Sequence, residues 1–147
     1  MKKFLILLFA VVLVSLTASA DKYTIDREAL PEAAREMLDE YFPKAKVGMI
    51  KVDRHLLRKT DYDVKLVNGT KIEFNNAGKW TSVDCKTREV PSGLVLKAIR
   101  TYVQKNFGDL KIVKIVKKTS SFDITLSDGV ELRFSRLGQF KGAAIGD

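Results

Sequence analysis

The sequence predicts an α+β fold: tandem α-β-β-β-β units forming one antiparallel sheet of about eight strands, with two helices packed on one face. Three observations predict it. A nineteen-residue pattern occurs twice, at Tyr62–Trp80 and again 60 positions later at Phe122–Phe140. Five positions are identical between the copies: Asp63/Asp123, Leu66/Leu126, Gly69/Gly129, Phe74/Phe134 and Gly78/Gly138. Self-similarity at a fixed period marks one supersecondary unit written twice. Ahead of each copy runs an apolar stripe with helical spacing, and inside each copy apolar and polar residues alternate.

The first twenty residues read as a secretory leader. Lys2 and Lys3 open it, Phe4 to Leu16 is almost wholly apolar, and Ala18-Ser19-Ala20 supplies small residues where a signal peptidase cuts. The apolar run is short for a membrane span, and no cysteine follows it to take a lipid. Cleavage near Ala20 leaves residues 21–147, one domain of two repeats at about 30–84 and 90–145, in the periplasm or secreted. Loss of the two leader lysines lowers the formal charge from +8 to +6. Export argues against nucleic acid as the partner, and the lysines are dispersed. Dispersed charge of this kind reads as a solvated basic surface, the alternative being attraction to an acidic partner or, peripherally, to anionic head groups. Cys85 is the single cysteine, so the fold rests on its hydrophobic core rather than on an internal disulfide.

The first helix is expected to open at Pro31, which a first turn tolerates. Ala34, Met37, Leu38, Tyr41 and Phe42 line one face, and Pro43 ends it. The second is expected to be capped by Ser92. It carries Val95, Ala98, Ile99, Tyr102, Val103 and Phe107 on its stripe and stops at Gly108. The helices match at an offset of 65 and the strands at 60. The first unit therefore holds about five extra residues, placed at Arg54 to Lys59.

A β-rich run follows each helix, Val47 to Val52 and Ile112 to Val116, and each copied pattern adds three strands. Tyr62, Val64 and Leu66 alternate with Asp63 and Lys65, as a sheet covered on one side requires. Parity sets the turns. A two-residue Asn68-Gly69 loop would mix the faces, whereas a three-residue Val67-Asn68-Gly69 loop pairs Val64 with Ile72 and Tyr62 with Phe74. Glycine then takes the left-handed third position of a type I turn plus bulge. The same count pairs Phe74 with Trp80 across Asn76-Ala77-Gly78.

This register makes two aromatic rows, Tyr62–Phe74–Trp80 and Phe122–Phe134–Phe140, both expected in the core beneath the helices. On the opposite face Asp123 meets Arg133, with Glu131 beside them, while Asp63 meets Glu73 and Lys65 meets Lys71. The like-charge pairs of the first unit are relieved only by a Lys65–Glu73 diagonal. This polar face (Asp63, Lys65, Lys71, Glu73, Asp123, Glu131 and Arg133) is the candidate partner-binding site.

Catalytic and cofactor signatures are missing. His55 is the single histidine, so no zinc spacing exists. No nucleophile elbow, phosphate loop or dinucleotide fingerprint occurs, and Asp128-Gly129 lacks the spacing of a calcium loop. No metal, cofactor or catalytic residue is assigned. Asn68-Gly69-Thr70 has the pattern of a glycosylation acceptor, but the turn already accounts for it.

These residues resemble the PepSY-like, beta-lactamase-inhibitor-like family of exported bacterial proteins. Leu30-Pro31, Ala34, Tyr41-Phe42-Pro43 and Ala45-Lys46 carry the resemblance, followed by Tyr62-Asp63-Val64-Lys65-Leu66, Asn68-Gly69, Ile72, Phe74, Gly78 and Trp80. Gly108 in place of a second Pro43, and Asp128 in place of Asn68, depart from it. The resemblance implies a sheet that presents a binding surface and no chemistry of its own. The expected function is an exported non-enzymatic binding protein, its partner a protein or an envelope component. The alternative is a periplasmic small-ligand or envelope-glycan binder. An enzyme would have to use His55.

Overall fold

The computed structural model describes residues 21–54 and 59–145. The leader and His55 to Arg58, most of the expected insertion, lie outside the described residues. Among these residues nine strands form one antiparallel sheet in strict sequence order. They are β1 (Lys22–Thr24), β2 (Val47–Asp53), β3 (Asp61–Leu66), β4 (Lys71–Phe74), β5 (Trp80–Asp84), β6 (Ile112–Lys117), β7 (Ser121–Leu126), β8 (Val130–Ser135) and β9 (Phe140–Ile145). Helix α1 (Glu32–Tyr41) lies between β1 and β2, and helix α2 (Lys97–Phe107) between β5 and β6. The sheet thus has one strand beyond the eight of the repeat. Lys22-Tyr23-Thr24 is too short to show a period, and only its pairing with Ile50–Val52 identifies it.

A short 3-10 turn precedes each helix, Arg27–Ala29 and Ser92–Leu94, and the two stand 65 positions apart like the helices themselves. Ser92 therefore does not cap α2. It opens the 3-10 turn, and Leu96 holds the N-cap position of α2 as Pro31 does for α1. Tyr41 ends α1 one residue before the Phe42 cap, and Gly108 terminates α2 at a φ of 58°. Ala34, Met37 and Leu38 of α1, and Ile99 and Val103 of α2, are buried against the sheet. Ala98, expected on the buried stripe, is exposed.

The predicted hairpin registers hold: Tyr62 pairs with Phe74, Val64 with Ile72, Phe122 with Phe134 and Ile124 with Leu132. Gly69, Gly78, Gly129 and Gly138 all have φ between 82° and 94°. The Asn68 side chain accepts a hydrogen bond from the Thr70 N–H at 3.0 Å, closing the local turn. Four bulges also recur in matched places. Gly48 and Val113 are the extra residues of β2 and β6, and Thr81 and Lys141 those of β5 and β9.

The core is one layer between the helices and the sheet. Phe74, Phe134, Ile50, Ile72, Ile99, Ile115 and Ile124 are essentially inaccessible there. The aromatic rows lie on this side, but not all of their members are core. Phe74, Phe122 and Phe134 are buried, whereas Tyr62 and Trp80 are half-buried and Phe140 is 39% exposed. Two helices cannot cover the ends of nine strands. Other groups lie at those ends: the Lys117 ammonium sits 4.1 Å from the Trp80 ring, and Tyr102 stacks on Phe140 at 4.5 Å. Cys85 is buried just beyond β5, and burial pushes its thiol pKa up. That environment suits an inert core thiol better than one poised for an intermolecular disulfide.

Candidate functional site

The face of the sheet away from the helices is built by register. Its central row crosses all nine strands: Tyr23, Lys51, Asp63, Glu73, Ser82, Val116, Asp123, Arg133 and Gly142. A second row, two residues along each strand, holds Met49, Lys65, Lys71, Asp84, Lys114, Thr125, Glu131 and Ala144. Beyond the central row on the other side, Asp53 faces Asp61. All seven residues predicted from the sequence lie on this face, at the predicted partners.

The sequence missed the residues supplied by β2, β5 and β6. Straight alternation from Trp80 would put Ser82 and Asp84 on the helix side with it. The bulge at Thr81 reverses the parity, sending Val83 into the core and Asp84 to the open face. Likewise Lys51, opposite Asp63, relieves the Asp63–Glu73 repulsion that the Lys65–Glu73 diagonal was expected to offset alone. The repeated bulge sites could have been found only by testing alternative parities against the buried valines and isoleucines.

The two halves of the face differ in electrostatics. In the second, Arg133 donates to Asp123 through Nε at 2.8 Å and Nη2 at 3.2 Å, and Lys118 joins at 2.7 Å. The Arg133 hydrogen bond is the main cause holding the Asp123 carboxyl below the usual range, against partial burial and with help from Lys118. In the first half, charge is separated along the strands. Asp53, Asp61, Asp63 and Glu73 gather at one end around Lys51, whose ammonium reaches Asp21 at 3.6 Å and Asp53 at 3.9 Å. Lys65, Lys71 and Lys114 gather at the other, with Asp84 between the last two. Burial favours a protonated Asp84, but hydrogen bonds from the Lys86 N–H and ammonium, with Lys114 nearby, outweigh it and lower its pKa.

Asp63 has the opposite balance. Burial raises its pKa, and Asp53 and Asp61 add to that, while Lys51 and Lys71 pull it down without prevailing. A carboxyl with a raised folded-state pKa subtracts stability once pH rises through that value, and subtracts nothing below its unfolded value. Asp63→Asn should therefore gain a little stability near neutral pH, solvent screening keeping the effect small. The gain should vanish below the carboxylate range, as urea melts of both proteins at a series of pH values would read. For Asp123, whose folded pKa is lowered, the sign reverses. Its stabilisation is present above the unfolded value and is lost as pH falls through the folded one.

Among the described residues no three His, Cys, Asp or Glu side chains converge as a metal site. Nor is any helix there long and apolar enough to cross a membrane. The arrangement offers charge-assisted hydrogen bonds over a broad shallow face, which suits recognition.

Comparison with known proteins places this geometry. No curated protein matches the chain at a significant level. Several solved structures share the fold, three of them over nearly their whole length. A "putative periplasmic protein of unknown function" from Bacteroides vulgatus is 39% identical, with a TM-score of 0.81 over 85% of this chain and 99% of its own. A "putative calcium-regulated periplasmic protein" from Bacteroides thetaiotaomicron is 31% identical, with a TM-score of 0.79 over 84% and 96%. A second "putative periplasmic protein" from Bacteroides vulgatus is 34% identical, with a TM-score of 0.79 over 86% and 98%. The sequence pattern of the family described as "putative beta-lactamase-inhibitor-like, PepSY-like" matches residues 60–142, more than half of the chain. The chain belongs to this PepSY-like, beta-lactamase-inhibitor-like family.

Proposed function

We propose that the chain is a non-enzymatic binding module of the bacterial periplasm, and that the helix-free face of its sheet docks a protein partner. Residues 1–20 serve as the export leader, removed near Ala20, so that N-terminal sequencing of the exported protein starts at Asp21. The periplasmic relatives and the inhibitor-like family support the setting. One observation carries the reading: the charge separation on β3 and β4. Asp63 and Glu73 stand opposite each other at one end of this pair, with Lys51 beside Asp63, and Lys65 and Lys71 stand opposite each other at the other, whereas Asp123 and Arg133 compensate each other. Lysines placed directly opposite one another cost stability in the free protein. A surface of opposite polarity on the partner removes that cost and fixes the orientation of docking.

Pull-down from periplasmic extract tests it. The wild-type protein should enrich a defined partner, and Lys65→Glu with Lys71→Glu should cut recovery at least ~10-fold, equivalent to about 1.4 kcal/mol. Glu40→Lys, exposed on α1, should leave recovery unchanged. Equal recovery with all three proteins would remove the open face from consideration.

A small-ligand reading has one observation in its favour. A hollow of about 340 Å³ on the open face is lined by Asp123, Glu131, Arg133, Lys141 and Gly142. Thermal-shift screening against glycans and small charged solutes separates the readings, because a small-ligand binder would gain stability from one of them. The aromatic rows do not supply a glycan platform on this face, since they lie on the helix side.

A further inference from the structure

Sequential strand order leaves the sheet two edges, β1 and β9, and the internal correspondence makes them unequal. In the first half the last strand, β5, is not an edge. Strand β6 covers it through Ser82↔Val116, Val83↔Ile115 and Asp84↔Lys114. Strand β9 is the counterpart of β5 60 positions on, with Gly142, Ala143 and Ala144 in those three places and the Lys141 bulge matching Thr81. Among the described residues no strand lies on its outer side. The other edge is treated differently. Strand β1 covers β2 much as β5 covers β6, and β1 is only three residues long. A very short terminal strand is a common way to blunt an edge. Strand β9 has six residues, Phe140 to Ile145, with one charge and no proline, and Ile145 is 87% exposed.

The surface beside β9 is open in the same sense. Met37 of α1 is 7% exposed, while its counterpart on α2, Tyr102, is half-buried. Leu96 is 39% exposed, and a hollow of about 760 Å³ runs along Ala98, Thr101 and Tyr102 between Lys97 and Lys105.

We propose that the outer edge of β9 binds an extended segment of another protein as an added antiparallel strand, in the position that β6 holds against β5. The chain's own pairing defines what fits. Ile115, opposite Val83, is fully buried on the helix side. A branched apolar residue opposite Ala143 takes that place, next to the exposed flank of α2. Lys114 stands opposite Asp84 on the open face. In the second half the acidic group is one strand further in, at Glu131, with only the Ala144 methyl between it and the edge. Two strand spacings are about 10 Å, which a lysine opposite Ala144 and Glu131 span together. Main-chain hydrogen bonds supply affinity, and these two side chains supply selectivity. The site shares Glu131 and Ala144 with the open face, but it is built on the β9 edge, far across the sheet from Lys65 and Lys71, and its test is independent of theirs.

The probe is a synthetic peptide with the sequence of residues 110–118, the chain's own occupant of the equivalent edge, added to the 15N-labelled protein and followed by NMR. The expected result is saturable shifts confined to the amides of residues 141–145 and the flank of α2 at Ala98 and Tyr102. Proline in the peptide at the position of Ile115 should abolish them. Glutamate at the position of Lys114 should weaken binding about fivefold, and Glu131→Lys in the protein should reverse that preference. No saturable shift at about 1 mM peptide (the weak limit of specific binding), or shifts centred on β1 or the open face, overturns the proposal. So does concentration-dependent broadening of residues 141–145 without peptide, together with a dimer mass in sedimentation, because the edge then belongs to a second copy.

Discussion

Phe134→Ala should lower the unfolding free energy by about 4 kcal/mol, within the range for emptying a buried phenylalanine site. Phe134 has no solvent exposure, and the Tyr102 and Phe140 rings stand 5.4 Å and 5.7 Å from it, edge-on. Loss of its ring leaves a cavity that the two neighbours, held by α2 and β9, cannot both move to fill. Phe140→Ala should cost only about 1 kcal/mol, because the ring already lies partly in water and only part of its area is recovered on folding. Urea denaturation of the two variants reads the difference directly. Domains of this size have total stabilities of about 5–15 kcal/mol, so Phe134→Ala should approach the limit of folding at 37 °C. Equal effects would mean that the row is core throughout, as alternation alone suggests.

Gly78→Ala is the second large effect, about 3 kcal/mol, and Gly69→Ala is its control at about 1 kcal/mol. Both glycines have left-handed φ, 82° and 94°, so both lose the conformational freedom that glycine provides. They differ in what a methyl group meets. At Gly69 nothing lies within 4 Å, whereas at Gly78 an added Cβ falls 2.8 Å from the Pro31 Cβ and 2.9 Å from the Ala34 backbone nitrogen. The turn between β4 and β5 is pressed against the first turn of α1, and backbone atoms there cannot swing aside. Gly138 repeats the arrangement on α2, where the added Cβ falls 2.8 Å from the Ala98 Cβ. Thermal melts of Gly78→Ala and Gly69→Ala separate the cost of φ from the cost of contact.

Much of this fold can be read from the residues, because the repeat gives two independent views of each register. Val64 opposite Ile72 and Ile124 opposite Leu132 satisfy the same parity, and the Asn68-Gly69 turn must serve both faces at once. What could not be read has specific physical causes. A bulge inserts one residue and reverses every later side chain on its strand, and Thr81 in β5 and Val113 in β6 look no different from their neighbours in sequence. Asp84 and Lys114 were therefore missing from the predicted face although they stand opposite each other at its centre. Ser92 resembles an N-cap, but the five residues before Lys97 form a 3-10 turn and a link, which local residue preference does not distinguish from a helix start. Phe140 matches Trp80 by position, yet among the described residues β9 is an edge strand with no neighbour on its outer side to help cover it. The close packing of Gly78 on Pro31 and Ala34 joins segments more than forty residues apart, and no local pattern announces it.

The central claim is that a protein partner docks on the helix-free face. Its most direct test is a photo-crosslinking residue placed in cells, in separate variants, at Lys71, at Thr125 and at Glu40. The first two positions lie on the open rows, and the third is exposed on α1, on the helix side of the sheet. Light-dependent adducts of one defined mass from Lys71 and Thr125, and none from Glu40, are the predicted result. Adducts from Glu40 alone, or from none of the three positions, would contradict it.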